Sequence, residues 1–181
     1  ITYDEAMARY GTDRPDRRFG LELQDVTVTV QESDFNVFTS AEHIVAAVVH
    51  NDFSRKEIDA LTEVAKTYHA KGLAWTTYDG EAFQSGIGKF LESITESLAD
   101  ELSLKKGDTV FFVADQKHRA QTALGAVRLE IANRLDLRED TYEFLWVTDF
   151  PMFEYSEEEE RYMSMHHPFT MPAVETAEDL S

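Results

Sequence analysis

The sequence contains no cysteine, which excludes a disulfide framework and any zinc or iron–sulfur site built on thiolates. It also has only 4 prolines and 8 glycines in 181 residues, too few for a collagen-like or low-complexity chain. No apolar run approaches the roughly 20 residues that a membrane-spanning helix needs. The first residues have no basic region followed by an apolar stretch, so no signal peptide is predicted.

Basic residues are also scarce: 17 Lys and Arg stand against 35 Asp and Glu, which gives a net charge of −18. Such an acidic surface repels a phosphate backbone, because affinity for nucleic acid comes largely from Lys and Arg. The basic residues that do cluster are Arg14, Arg17 and Arg18, in the loop at residues 11–20. This loop is predicted either to bind an anion or, preferably, to be a solvated loop paired with its own aspartates.

What the chain does contain is enough for a folded core: 43% hydrophobic residues, including 12 Phe, 7 Tyr and 2 Trp. At 181 residues the chain is slightly long for one domain and short for two, if a domain has roughly 100–200 residues. The first residue is Ile1 rather than Met. This predicts that the chain is a processed or excised piece of a longer protein, although a removed tag leaves the same trace.

Local patterns predict alternating helices and strands. Thr2 and Glu5 have the spacing of a capping box that starts a helix ending at Gly11, and Ser54 and Glu57 have the same spacing. Alternating Val and Thr at residues 26–30 favour a strand, although the region is ambiguous and a helix stays an alternative at residues 26–34. The pattern then predicts strands at residues 43–49, 73–78 and 109–114, and helices at residues 54–71, 89–102 and 117–135. The buried faces of these helices are predicted to include Tyr68 in the first, Leu98 and Leu102 in the second, and Leu124 and Leu129 in the third.

These elements predict an α+β fold with a two-layer middle domain, in which helices cover one face of a sheet. The predicted boundaries are an N-terminal stem at residues 1–20, the middle domain at residues 21–140, and a hairpin and tail at residues 141–181. The hairpin has a long aromatic strand at residues 142–153, an acidic turn and a return strand at residues 161–165. A hairpin this apolar does not stand alone, so we expect it to join a larger antiparallel sheet.

The adjacent histidines His166 and His167 are the strongest candidates for a binding site. Adjacent residues of an extended segment point to opposite sides, which disfavours a shared metal ion. An imidazole can donate to a carboxylate, and a purely structural turn is an equal alternative. Residues 86–89, Gly-Ile-Gly-Lys, lack the spacing of a phosphate-binding loop and are better explained as the start of a helix. No catalytic nucleophile or acid–base pair is predicted.

The chain contains two distinctive motifs, LWVTDFPMF at residues 145–153 and MHHPFT at residues 165–170. Further short segments of interest are found at residues 10–19, 72–74, 89–91, 111–115 and 124–128. In order and along nearly the whole chain, these segments resemble bacterial-type aspartyl-tRNA synthetases.

The resemblance implies a fragment of an aspartate–tRNA ligase, a class II aminoacyl-tRNA synthetase. That enzyme uses ATP and Mg²⁺ to form aspartyl-adenylate from L-aspartate and then transfers the aspartyl group to tRNA. The middle domain then resembles the insertion domain shared with a subunit of the tRNA-dependent amidotransferase, and the flanks resemble pieces of the catalytic antiparallel sheet. The resemblance implies that His166 contacts L-aspartate, with His167 beside it as a second candidate.

The resemblance does not include an anticodon-binding barrel, the dimer-forming motif or the arginines that hold ATP. We therefore expect the fragment alone to be inactive, to hold no cofactor or metal and to bind tRNA weakly. The parent is expected to be a cytoplasmic homodimer with no membrane association. Residues 26–30 depart from the family, where this position is usually more helical. The alternative is a non-catalytic docking module related to the amidotransferase insertion domain, which the MHHPFT motif disfavours.

Overall fold

A computed structural model of the chain describes residues 1–156 and 159–165. They form an α+β fold with an antiparallel sheet, so the predicted fold class is confirmed. The helices are α1 Tyr3–Tyr10, α2 Thr27–Val30, α3 Asn36–Thr39, α4 Arg55–Thr67, α5 Thr95–Glu101 and α6 Lys117–Arg134. The strands are β1 Gln24–Asp25, β2 His43–Val49, β3 Ala74–Tyr78, β4 Asp108–Asp115, β5 Phe153–Ser156 and β6 Arg161–Ser164.

The larger sheet has the strand order β1-β2-β4-β3, and each neighbouring pair runs antiparallel. β2 and β4 pair along their length, from His43 opposite Asp115 to Val49 opposite Thr109. Both strands are nearly continuous apolar runs, as expected of strands that are covered on both faces. The centre of the sheet is therefore buried between two layers.

Each face of the sheet has its own hydrophobic core. α4 and α6 cover one face, where Leu61 and Leu124 join a cluster with Phe111. The short helices α2, α3 and α5 cover the other face, where Phe38 and Leu98 join a second cluster. The prediction that helices lie on one face only is therefore wrong. The helices of the second layer are too short to show the periodicity from which a covering helix is recognised.

The strand predicted at residues 26–30 is also wrong, because this stretch forms the helical turn α2. Asp25 Oδ1 accepts hydrogen bonds from the main-chain nitrogen and the hydroxyl of Thr27, at 3.0 and 2.6 Å, and so forms an Asx turn where α2 begins. The valines at its two ends are buried, while Val28 between them is 80% exposed. The alternating valines fit one face of a helix because the two buried valines, Val26 and Val30, are four residues apart.

The helix predicted at residues 54–71 is confirmed in type but not in length. Its capping box is present: Ser54 Oγ accepts from Glu57 N at 3.4 Å, and the Glu57 carboxylate accepts from Ser54 N at 2.8 Å. α4 ends at Thr67, because His69 adopts a left-handed backbone with φ 66°. Tyr68, predicted on the buried face, is consequently 45% exposed.

The helix predicted at residues 89–102 is only partly α-helical. Two 3-10 turns, Gly88–Phe90 and Glu92–Ile94, precede α5. The spacing of the apolar residues survives this change, because Leu98 and Leu102 are buried as predicted. A 3-10 turn and an α-turn place residues three or four apart on the same side, so the sequence pattern does not separate them.

α1 starts and ends at the predicted residues. Thr2 Oγ1 accepts from Glu5 N at 3.1 Å, and Gly11 ends the helix in a left-handed conformation with φ 68°. The predicted capping box is incomplete, because the Glu5 carboxylate accepts from Arg9 Nη1 at 2.6 Å instead. The helix is therefore capped by one side chain and stabilised by an ion pair along its surface.

The C-terminal end of α1 lies directly against the main chain of α6. A Cβ added to Gly125 would lie 2.6 Å from Tyr10 O and 2.9 Å from Gly11 Cα. A Cβ added to Gly11 would lie 2.1 Å from Gln121 O. No side chain larger than hydrogen fits at either position. The two glycines therefore permit a backbone-to-backbone contact between the N-terminal stem and the middle domain.

We predict that Gly125→Ala lowers the free energy of unfolding by about 1–3 kcal/mol, because its methyl group overlaps Tyr10 O. This sign is the opposite of the usual effect, since alanine in a helix interior is ordinarily more favourable than glycine by about 1 kcal/mol. Urea unfolding followed by circular dichroism measures it. Gly72→Ala is the matched control, because an added Cβ there has nothing within 4 Å. A Gly125→Ala variant as stable as the wild type would contradict the prediction.

Candidate functional site

The predicted aspartate-binding residues, His166 and His167, lie outside the described residues, as does the acidic tail. Met165, immediately before them, donates from its main-chain nitrogen to Met152 O at 3.2 Å. A hairpin is present, because β5 pairs antiparallel with β6. The long strand predicted at residues 142–153 is wrong, however, because β5 begins only at Phe153 and residues 142–152 lie outside the named strands. The base of the hairpin is closed between Met152 and Met165.

An extended segment leads into the hairpin and is attached to the N-terminal stem. Trp146 O accepts from Ile1 N at 2.9 Å, and Thr148 N donates to Ile1 O at 3.0 Å. Tyr3 N donates to Thr148 O at 2.8 Å, and the ring of Tyr3 lies 5.3 Å from that of Phe150. Main-chain hydrogen bonds therefore join the two segments that were predicted to flank the middle domain.

The extended segment carries an exposed aromatic stripe. Tyr142, Phe144 and Trp146 are 86%, 89% and 86% exposed, and they alternate along the chain so that they share one side. The first two rings stack with centroids 6.0 Å apart. Nothing in residues 1–156 or 159–165 covers them. Contiguous apolar side chains in water mark a surface that packs against another part of a protein or a partner.

Arg128, in the middle of α6, is fully buried and binds the loop that follows α1. Its Nε donates at 2.9 Å to one main-chain oxygen, and its Nη2 lies 2.9–3.3 Å from three others. These acceptors belong to Leu21, Asp16, Phe19 and Gly20. A guanidinium presents several donors in one plane, so it can hold converging carbonyl groups that otherwise repel one another.

Aromatic rings complete the environment of this guanidinium. Arg128 Cζ lies 4.1 Å from the ring centre of Phe19 and 5.0 Å from that of Tyr10. Burial lowers the pKa of Arg128 to about 10, while the nearby carboxylates of Asp16 and Glu22 act in the opposite direction. The side chain therefore stays protonated at neutral pH, and the aromatic faces and carbonyl oxygens replace its water.

Asp16 links the chain that leaves the middle domain after α6 to the same loop. Its carboxylate accepts from Arg18 Nη2 and from Arg138 Nε, each at 2.8 Å. The hydrogen bonds from Arg18 and then from Arg138 hold the pKa of Asp16 well below its usual range, against the opposing effect of burial. Glu139 N also donates to Arg18 O at 2.9 Å. Both connections between the middle domain and the stem therefore meet at residues 16–21.

The basic loop is mostly neutralised by its own aspartates, as predicted for the solvated alternative. Arg18 pairs with Asp16, and Arg14 lies 3.5 Å from Asp13. Arg17 has no carboxylate partner among the described residues, and it is exposed. One exposed cation is a weak basis for the alternative prediction of an anion site.

Residues 86–89 do not form a phosphate cradle. Ile87 N donates to Trp75 O at 3.0 Å, and Gly88 N donates to Ser85 O at 3.0 Å. These main-chain nitrogens, which a phosphate loop would present to its ligand, are used within the protein. The preferred interpretation of this stretch as the start of a helix agrees with the 3-10 turn that begins at Gly88.

In the part of the chain that the structure describes, no three His, Asp or Glu side chains are grouped so that they could bind a metal. Among its arginines, Arg9, Arg18 and Arg138 pair with carboxylates, and Arg128 is buried. No helix in this part of the chain has the length and hydrophobicity to cross a membrane.

Arg128 and Gly125 belong to a segment that carries the family resemblance, residues 124–128, but the sequence patterns assigned neither residue a structural role. The buried face of α6 was predicted to include Leu129, which is only partly buried, and Arg128 occupies the buried position instead. The available signal is the spacing, because Arg128 lies four residues after Leu124, on the same side of the helix. A charged residue at such a position is usually predicted to be exposed, so only the structure reveals its role.

Comparison with known proteins first gives the class of the middle domain. Residues 35–124 match the family model of the GAD domain. This stretch begins near α3 and ends within α6, so it contains most residues of both hydrophobic cores and the strands β2, β3 and β4. It lies inside the predicted middle domain at residues 21–140, whose boundaries remain a prediction.

Over its whole length the chain is similar to bacterial aspartate–tRNA ligases. It is 50% identical over 184 residues to the aspartate–tRNA ligase of Streptococcus agalactiae and 52% identical over 185 residues to that of Streptococcus pneumoniae. Each alignment covers 99% of this chain, but only 32% and 31% of those relatives. The chain thus spans about a third of the length of the relatives that it matches. The resemblance found from the motifs is confirmed.

We predict that Asp16→Asn lowers the free energy of unfolding at about pH 7, because the neutral amide cannot replace a carboxylate that accepts from two arginines. The pKa of Asp16 is lower in the folded protein than in the unfolded chain. The wild type therefore has this stabilisation in full above the ordinary aspartate pKa of about 3.9 and loses it as the pH falls further. The difference between the two proteins should shrink at about pH 3.

Urea unfolding at both pH values measures this change. Asp59→Asn is the control, because Asp59 forms an exposed surface pair with Arg55 and should have little effect at either pH. A difference between the Asp16→Asn variant and the wild type that stays constant between about pH 7 and about pH 3 would show that the charge of Asp16 does not stabilise the fold.

Proposed function

We propose that this chain is part of an aspartate–tRNA ligase, comprising its GAD insertion domain and flanking pieces of its catalytic domain. The observation that carries the proposal is the similarity to such ligases over 99% of the chain. The parent enzyme attaches L-aspartate to tRNA through aspartyl-adenylate and uses ATP and Mg²⁺. It is a cytoplasmic homodimer whose ATP site and dimer contacts lie outside these residues.

The alternative, a separate docking module, is less well supported. A module of that kind would need only the residues that match the GAD domain, at 35–124. The similarity to the ligases continues through both flanks. The described flanks are also physically joined, because Tyr3 N and Thr148 N form hydrogen bonds between α1 and the extended segment. This arrangement suits a stem that returns the chain to a second domain.

The aromatic stripe at Tyr142, Phe144 and Trp146 supports a role within a larger protein. Three large side chains that are more than four-fifths exposed are unfavourable in water, since each buries roughly 150–250 Å² when it is packed. The hairpin has the same character, because Tyr155 and Tyr162 are 55% and 72% exposed. Packing of these residues against the rest of a catalytic sheet would remove that cost.

In the proposed parent, His166 binds the L-aspartate substrate and His167 is the second candidate. The assignment follows from the MHHPFT motif, and the described structure adds the fixed position of Met165 immediately before the pair. An imidazole donor paired with a carboxylate is a charge-assisted hydrogen bond, which is stronger than one between neutral groups. The catalytic step itself, adenylation by ATP, needs cationic groups that the described residues do not supply.

The expected activity differs between the longer protein and this chain. The protein that contains it should catalyse aspartate-dependent exchange of pyrophosphate into ATP and charge tRNA with aspartate. The isolated 181 residues should do neither, because no set of free arginines is present in the described residues to stabilise a transferring phosphoryl group. Aspartate exchange by the isolated chain would refute its assignment as a partial catalytic domain. Failure of the longer protein to charge tRNA with aspartate would refute the ligase.

A second prediction concerns His166→Ala in the longer protein. Loss of the imidazole should reduce kcat/KM for aspartate by the equivalent of about 2–5 kcal/mol, because the substrate carboxylate loses a hydrogen-bonding partner. The KM for ATP should stay near the wild-type value. His118→Ala is the control, since His118 is an exposed residue in the first turn of α6. An unchanged kcat/KM for aspartate would remove His166 from the site.

A further inference from the structure

We propose that Arg128 and the contact between Gly11 and Gly125 form a rigid joint, through which the GAD domain fixes the N-terminal stem and, hydrogen-bonded to that stem, the segment that leads to the candidate aspartate-binding residues. Arg128 is then a positioning residue for the ligase reaction, although it lies in the insertion domain. The positioning role rests on the proposed function, whereas the joint does not depend on that function.

The first support is the geometry of the loop at residues 16–21. Carbonyl oxygens from four of its residues converge on one guanidinium, at 2.9–3.3 Å. Converging carbonyl dipoles repel one another unless a cation lies between them, so the loop has this shape only when Arg128 is present. A lysine would keep the charge but would lose the planar arrangement of donors.

The second support is that the joint has two points of contact on α6. Gly125 and Arg128 are three residues apart and therefore lie on the same side of the helix. Gly125 meets Tyr10 O and Gly11 Cα, while Arg128 holds the loop that follows. One point of contact would allow the stem to rotate, but two points about one helical turn apart resist rotation.

The third support is that both chain connections converge at this place. The incoming loop ends at Leu21, whose carbonyl binds Arg128, and the outgoing chain is bound through Arg138 to Asp16. From the joint, α1 runs to Thr148, where main-chain hydrogen bonds align the segment that leads to the hairpin. The orientation of that segment relative to the GAD domain therefore depends on α1 and on the joint that holds it.

The joint can be tested in the 181-residue chain by a distance measurement. The chain has no cysteine, so Ala8→Cys on α1 and Lys56→Cys on α4 place two spin labels at exposed positions on the two sides. Pulsed electron spin resonance should give one narrow distance distribution. Arg128→Met should broaden it or split it, and Arg128→Lys should give an intermediate width.

Arg134→Met is the matched control, because Arg134 lies on the same helix but pairs only with Glu130 on the surface. Its distance distribution should equal that of the wild type. If Arg128→Met fails to fold, as judged by circular dichroism, the distance distribution of Arg128→Lys is used for the test instead. Distributions as narrow as the wild type in every folded Arg128 variant would overturn the joint.

The positioning role is tested separately in the longer protein. Arg128→Lys should lower kcat/KM for aspartate by up to about 100-fold, the effect of a misplacement of about 1 Å, and leave the KM for ATP unchanged. A variant that is only destabilised would instead lose activity towards aspartate and ATP alike, in proportion to its unfolded fraction. An unchanged kcat/KM for aspartate would overturn the positioning role. If the wild type does not activate aspartate, the proposed function fails, while the distance measurement still decides the joint.

Discussion

Arg128 donates from the middle of α6 to carbonyl oxygens of residues 16–21, and the rest of the structure depends on this contact. The loop has no regular secondary structure, so its main-chain groups need partners from elsewhere. Phe19 and Tyr10 cover the guanidinium and remove it from water. Because several main-chain carbonyl groups share this one buried side chain, its loss would leave several unpaired carbonyl groups rather than one.

The use of arginine explains how a chain of net charge −18 is organised. Arg18 and Arg138 both donate to Asp16, and Arg9 pairs with Glu5 and Glu22. These positive charges are directed towards the protein's own carboxylates and carbonyl groups. The charge that remains is strongly acidic.

The predictions made from sequence succeed where a local pattern has one explanation. The apolar runs of β2 and β4 and the capping box at Ser54 were predicted correctly. They fail where one pattern fits two structures. The alternating valines at residues 26–30 fit both a strand and a helical turn, and the structure has the turn, with Asp25 bonded to Thr27 where it begins. The short helices of the second layer fail for a related reason, since each has too few residues to show a period.

By itself, the sequence determined the order and type of the main elements, the α+β class, the hairpin and the resemblance to the ligases. These follow from residue spacing and short motifs, which act over a few neighbours. Only the tertiary structure decided that Arg128 is buried, that Gly11 meets Gly125, and that Ile1 and Tyr3 pair with residues near Thr148. Such contacts join residues more than one hundred positions apart, and no local pattern encodes which distant backbone a side chain will meet.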